Sequence, residues 1–128
     1  MLSIKHRICQ RTKINAMGDL QELISKLVQF RDARDWKQFH KPKDLSAAIA
    51  IEAGELQELF LWKGDAEAAQ ADRERVAEEL ADIFAFALLL AEHYDFDVKE
   101  IILKKMAQNG EKYPVEKTKG SAKKYNEL

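Results

Sequence analysis

Two pairs of acids carry the first chemical signal in this chain. Glu52 and Glu55 stand three residues apart, and so do Glu79 and Asp82. On a helix that spacing sets both members of a pair near one face. Leu45, Ala48, Ile49, Leu56 and Leu59 fall on one side of a helical wheel, with Glu52 in their midst and Glu55 at their edge. Val76, Leu80, Ile83, Ala87 and Leu90 form a second apolar stripe, with Glu79 inside it and Asp82 beside it. An ionised carboxylate on a face that is to be dry costs several kcal/mol without a partner, and grouped carboxylates also repel. Pairing with Arg or Lys is one remedy. Hard divalent cations, which prefer oxygen ligands, are the more economical one. The Glu-x-x-His pair of ferritin-like di-iron bundles is absent, since Leu90 precedes His93 and Lys37 precedes His40 at that spacing. A set made only of carboxylates suits Mg²⁺ or Mn²⁺, ions that commonly bridge protein to phosphate oxygens.

Other residues fit a nucleotide. Val98, Ile101 and Ile102 define a further stripe that Lys105 and Asn109 continue, and Lys112 and Tyr113 follow soon after. Lysines and an asparagine near a metal–carboxylate group suit a polyphosphate. A lysine on an apolar face also snorkels to solvent without any ligand. No G-x-x-x-x-G-K phosphate loop occurs. Trp36 and Phe39 lie in a loop, Trp62 at a helix end, and Phe86 one turn after Asp82. Such aromatics stack on a nucleobase, or simply pack in a core or interface. His40 closes the loop as a candidate ligand contact, and Cys9 has no evident histidine partner.

These side chains need helices to hold them. The hydrophobic periodicity predicts four, over roughly 19–35, 44–62, 72–93 and 97–109, with Gly64 and Gly110 as stops and 64–71 as a loop. Pro42 breaks the pattern between the first two. Four helices on short links imply an all-α four-helix bundle. Only five glycines and two prolines occur, too few for a turn-rich all-β fold. The length of 128 residues suits one domain, 19–114, with a flexible basic extension at 1–18 and a polar tail at 115–128. Net charge is +4 over 1–18, −7 over 19–110 and +2 over 111–128. The acidic middle argues against nucleic acid as a partner. A single cysteine excludes an internal disulfide and points to the cytoplasm. The apolar run from Ile83 to Ala91 is too short to span a bilayer, so no membrane partner is expected. The acid-free leader also suits a transit peptide, and Met17 an internal start.

Taken together, Glu52-x-x-Glu55 and Glu79-x-x-Asp82 resemble the signature of the MazG-like all-α nucleoside triphosphate pyrophosphohydrolases, most closely the small dCTP pyrophosphatase group. Arg34-Asp-Trp-Lys-Gln-Phe-His40, Gly54 to Trp62, Lys105-Met-Ala-Gln-Asn109 with Lys112-Tyr113-Pro114, and Lys124-Tyr-Asn-Glu-Leu128 match in order and spacing. The resemblance implies Mg²⁺-dependent hydrolysis of a dNTP, dCTP favoured, to dNMP and pyrophosphate in nucleotide-pool house-cleaning. It implies that Glu52, Glu55, Glu79 and Asp82 hold the metal. It further implies that Trp36, Lys37, Gln38, Phe39, His40 and Trp62 contact the nucleotide, and the residue pattern adds Phe86, Lys105, Asn109, Lys112 and Tyr113 to the expected substrate site. Leu27 and Phe86 depart from the group, which can have histidine and tyrosine there. Assembly as a dimer, or a tetramer of two dimers, is also implied. A dUTP or phosphoribosyl-ATP enzyme of the same fold, a non-catalytic interaction module and a purely structural bundle are the alternatives.

Overall fold

Asp19 and Glu22 place negative charge at the positive end of the first helix, α1 (Asp19–Asp32). The computed structural model describes residues 18–128, and the basic leader with Cys9 and Met17 lies outside the described residues. Asp35 adopts a left-handed conformation with φ of 53° and turns the chain. The Gln38 side-chain amide donates to the Asp35 backbone oxygen at 3.0 Å and to its carboxylate at 2.9 Å. A single 3₁₀ turn, Trp36–Gln38, sits inside that bend. Pro42 then starts α2 (Pro42–Glu58), since its fixed φ and missing N–H suit a first helical position.

The second helix stops at Glu58, short of the expected Trp62. Leu59, Phe60 and Leu61 tighten into i→i−3 bonds, and the Lys63 ammonium donates to the Leu59 carbonyl at 2.8 Å. Trp62 follows with φ of 62°. The apolar run through Leu59–Trp62 hides this stop from periodicity, because nothing in the residue types breaks there. The expected loop contains a one-turn helix, α3 (Asp65–Ala68). Asp72 caps α4 (Arg73–His93), its carboxylate accepting from the Glu74 and Arg75 N–H groups at 2.9 and 3.3 Å. Asp97 caps α5 (Val98–Lys112) in the same way, accepting from the Glu100 N–H at 2.9 Å. Gly110 does not end α5, which continues to Lys112. The tail holds a one-turn helix, α6 (Val115–Thr118), and a 3₁₀ turn, Tyr125–Glu127. Among the described residues the fold is all-helical, as expected.

The chain divides into two compact units, one reaching to His93 and one running from Tyr94 to Leu128. In the first, α4 packs along α2 and, less extensively, against α1. Ile24, Leu45, Leu59, Leu88, Leu89 and Ala91 are its buried apolar side chains, and Arg31 is buried with them. In the second, Tyr113 meets Tyr125 edge to face at 6.1 Å, with the Lys112 ammonium 5.3 Å from the Tyr125 ring. No helix of the described residues is long and apolar enough to cross a membrane.

Leu45 is 1% exposed, the most completely buried large side chain among the described residues. Leu45→Ala is expected to cost ~2–5 kcal/mol of unfolding free energy, read from urea melts followed by helical circular dichroism. A loss below ~1 kcal/mol, about the worth of a single buried CH₂, would show that the α2–α4 contact does not organise the unit.

Candidate metal centre and its adjoining cavities

The intimate packing of α2 on α4 brings the two acid pairs together. Glu52, Glu55 and Glu79 each offer an oxygen, and these oxygens lie within 4.8 Å of one another. Asp82 stands one turn beyond Glu79, close enough that its charge acts on Glu52 and Glu79. Glu52 and Glu79 are half-buried, while Glu55 and Asp82 are exposed. None of the four forms an ion pair with a basic side chain among the described residues. Desolvation pushes Glu52 above the ordinary carboxylate value, and the charges of Glu55, Asp82 and Glu79 push it further. Glu79 is raised by the same causes, desolvation first, with Arg75 opposing them. A group of hard, mutually repelling oxygen donors that no basic side chain among the described residues neutralises fits a divalent ion such as Mg²⁺ or Mn²⁺.

Next to this group lies an apolar cavity of about 220 Å³. Asp82 forms part of its wall, so the cavity opens beside the acids. Phe30, Trp36 and Phe86 supply aromatic walls, with Leu27, Leu89, Arg31 and His40. The rings are ordered among themselves. Trp36 meets Phe30 edge to face at 5.9 Å, and His40 lies 6.3 Å from Trp36 and 6.2 Å from Phe86. The Arg34 guanidinium covers Phe30 at 3.5 Å. A second cavity of about 280 Å³ shares Arg31, His40 and Leu89 with the first and adds Lys37, Lys41, Glu92 and His93. The His40 Nδ1 atom is buried and has no hydrogen-bond partner among the described residues. Burial, helped by the positive charge of Arg31, lowers the His40 pKa and keeps the ring neutral near pH 7.

The structure therefore gathers Glu52, Glu55, Glu79 and Asp82 in one place, and Trp36, His40 and Phe86 beside them, with Lys37 on the second cavity. Gln38 is occupied in the turn, and Phe39 is 63% exposed. Trp62 is 94% exposed and lines neither cavity. Lys105, Asn109, Lys112 and Tyr113 belong to the second unit. Sequence reasoning missed Arg31 and Glu92. Arg31 follows Ile24 by seven residues and Leu27 by four, so it continues the buried stripe of α1, and that register was the available signal.

The MazG-like family model matches residues 47–128. Over 105 residues the chain is 43% identical to dCTP pyrophosphatase 1 of Rattus norvegicus, 45% to that of Bos taurus and 41% to that of Homo sapiens. Each match takes in 78% of this chain and 62% of the relative, so the chain spans less than two thirds of these curated proteins. A solved pyrophosphatase from Archaeoglobus fulgidus superposes with a TM-score of 0.72 at 34% identity, covering 77% of this chain and 94% of that one.

The raised carboxylates have a consequence for stability. In metal-free protein, Glu52 and Glu79 hold protons more tightly folded than unfolded. Their contribution to stability is thus fully present below the ordinary carboxylate value and is lost as pH rises through the raised folded values. Glu52→Gln, which removes the repulsion, should raise Tm more at pH 7 than at pH 4 in the presence of a chelator. A Tm difference that stays constant or shrinks toward pH 7 would contradict the crowding of charge.

Proposed function

The chain belongs to the MazG-like family, and from that premise we propose that it is a divalent-metal-dependent nucleoside triphosphate pyrophosphohydrolase with dCTP as favoured substrate. One observation carries the reading: three clustered carboxylates lie beside an aromatic cavity that Asp82 joins to them. Glu52, Glu55, Glu79 and Asp82 would hold Mg²⁺, with Mn²⁺ as an alternative. When bound, the metal supplies neutralisation of phosphate charge and a lowered pKa for the attacking water. Water oxygen attacks the α-phosphorus, the bond from that phosphorus to the bridging oxygen breaks, and dNMP and pyrophosphate leave. A glutamate of the set takes the proton of that water, as general base. Trp36 and Phe86 flank the base, where stacking contributes ~1–3 kcal/mol. Lys105, Asn109, Lys112 and Tyr113 are proposed as phosphate and sugar contacts on the strength of their motif. The names of the relatives support dCTP, and the separation of an acidic group from an aromatic cavity supports a nucleotide over inorganic pyrophosphate alone.

The protomer leaves large apolar side chains uncovered, among them Ile51, Phe60, Leu61, Trp62 and Phe84 in the first unit. Such a surface supports assembly as a homodimer or a tetramer of two dimers. Trp62 supports it most directly. A bulky residue held at positive φ is conformationally costly, and its ring here projects into solvent. In an assembly it would close over a base held by the second protomer. A cytoplasmic location goes with this reading, because nucleoside triphosphates are a cytoplasmic pool.

Glu55→Gln keeps the shape of the side chain and removes its charge. It is expected to abolish pyrophosphate release from dCTP in Mg²⁺ while the helical spectrum stays unchanged. Retention of more than about a tenth of wild-type turnover, ~1.4 kcal/mol of barrier, would remove Glu55 from the set. Release of orthophosphate in place of pyrophosphate would refute the reaction.

A further inference from the structure

Arg31 is an arginine inside a core, 5% exposed, and its position is over-determined. Its Nε donates to the Asp32 carboxylate at 2.8 Å, and its Nη1 donates to the Glu92 carboxylate at 3.1 Å. The second bond ties α1 to α4 across the wall of the second cavity. An arginine has five N–H donors, of which these bonds occupy two. The hydrogens of Nη2 and the second hydrogen of Nη1 have no partner among the described residues. Arg31 borders both cavities, the aromatic one beside the acids and the charged one behind it, while Glu92 borders the charged one. A flat ring that entered the aromatic cavity would therefore meet Arg31, whose Nη1 holds Glu92 at 3.1 Å on the side of the charged cavity. Lys37 and Lys41 on the same cavity are exposed and stay hydrated.

We propose that the Arg31–Glu92 pair reads the hydrogen-bonding edge of the base and selects cytosine over uracil and thymine. The inference rests on the nucleotide reading of the adjoining site. The pair offers guanidinium donors next to a carboxylate acceptor. Cytosine offers O2 and N3 as neighbouring acceptors, followed by the N4 amino donor. Every group then finds its opposite. Uracil and thymine replace N3 with a donor and N4 with the O4 acceptor, so a guanidinium N–H meets N3–H and the Glu92 carboxylate meets O4. A buried site built for hydrogen bonds rejects an analogue that leaves its groups unpaired far more strongly than an apolar pocket rejects a misfit. Arginine suits the task better than lysine, because its planar fork presents parallel donors in a fixed geometry. The clamps from Asp32 and Glu92 keep that fork from swinging away. A tether alone would need no unused donors on a residue that lines both cavities.

The test compares dCTP with dUTP as competing substrates and, separately, dCMP with dUMP as ligands in titration calorimetry. Wild type is expected to favour the cytosine compound at least tenfold in kcat/KM and in affinity. Glu92→Gln retains a carbonyl for Arg31 and turns an amide N–H toward the base. It should lower the cytosine-to-uracil ratio at least tenfold, chiefly through improved use of dUTP. Arg31→Lys preserves the charge and loses the fork, and should lower the ratio as far through a higher KM for dCTP. Variants with wild-type Tm and an unchanged ratio would overturn the assignment and leave the pair a structural tether. A wild type that favours uracil, or does not discriminate, would overturn it as well. If no triphosphate is hydrolysed, the catalytic reading fails, while the dCMP and dUMP affinities still decide the inference. Should Arg31→Lys not fold, Glu92→Gln alone decides, since loss or retention of the ratio there does not depend on the first variant.

Discussion

Electrostatic repulsion between α2 and α4 is the constraint on which this structure turns. Two helices that pack through apolar stripes also bring carboxylates face to face, with ligand oxygens of Glu52, Glu55 and Glu79 within 4.8 Å. Such a contact opposes the packing that creates it. The apolar side chains around it, Leu45 and Leu59 on one side and Leu88 and Leu89 on the other, hold the helices in register against that repulsion. Capping of α4 by Asp72 fixes where the helix begins, and hence which turn carries Glu79 and Asp82. A protein built only for stability would place leucines at these sites. Acids there are intelligible as a binding site for positive charge, with the destabilisation offset when an ion is bound.

The rest of the first unit arranges itself around that centre. Asp82 belongs at once to the acidic group and to the wall of the aromatic cavity, so a ligand that engages one also meets the other. Behind the aromatic rings the buried Arg31 joins α1 to α4 through Glu92. The same bond that tightens the unit also lies in the wall of the second, charged cavity. His40 completes the wall as a neutral ring between Trp36 and Phe86, its Nδ1 without a hydrogen-bond partner among the described residues. On the proposed reading, the acidic group, the aromatic faces and the Arg31–Glu92 pair would serve the phosphates, the ring and the polar periphery of a nucleotide. This agrees with membership of the MazG-like family.

Much of this was legible in the residues. Apolar spacing located the four long helices, and the two acid pairs stood out because charge fell where the stripes called for leucine or alanine. What escaped had physical reasons. The end of α2 is set by backbone geometry at Trp62, a left-handed turn that residue types in an apolar run do not announce. Gly110, which reads as a stop, is carried through because α5 continues to make its hydrogen bonds on both sides of it. Arg31 and Glu92 lie sixty-one positions apart, so their pairing exists only after α1 and α4 meet. The cavities combine side chains from α1, the Trp36 turn and α4, and no local pattern encodes such a convergence.

The central claim is that the acids bind a divalent ion. Titration of metal-free protein with Mn²⁺, followed by the loss of the free-ion electron paramagnetic resonance signal, measures this without any substrate. Wild type should bind saturably, and Glu79→Gln should bind at least tenfold more weakly, a difference of ~1.4 kcal/mol. Absence of saturable binding in the wild type, or equal affinity in the variant, would contradict it.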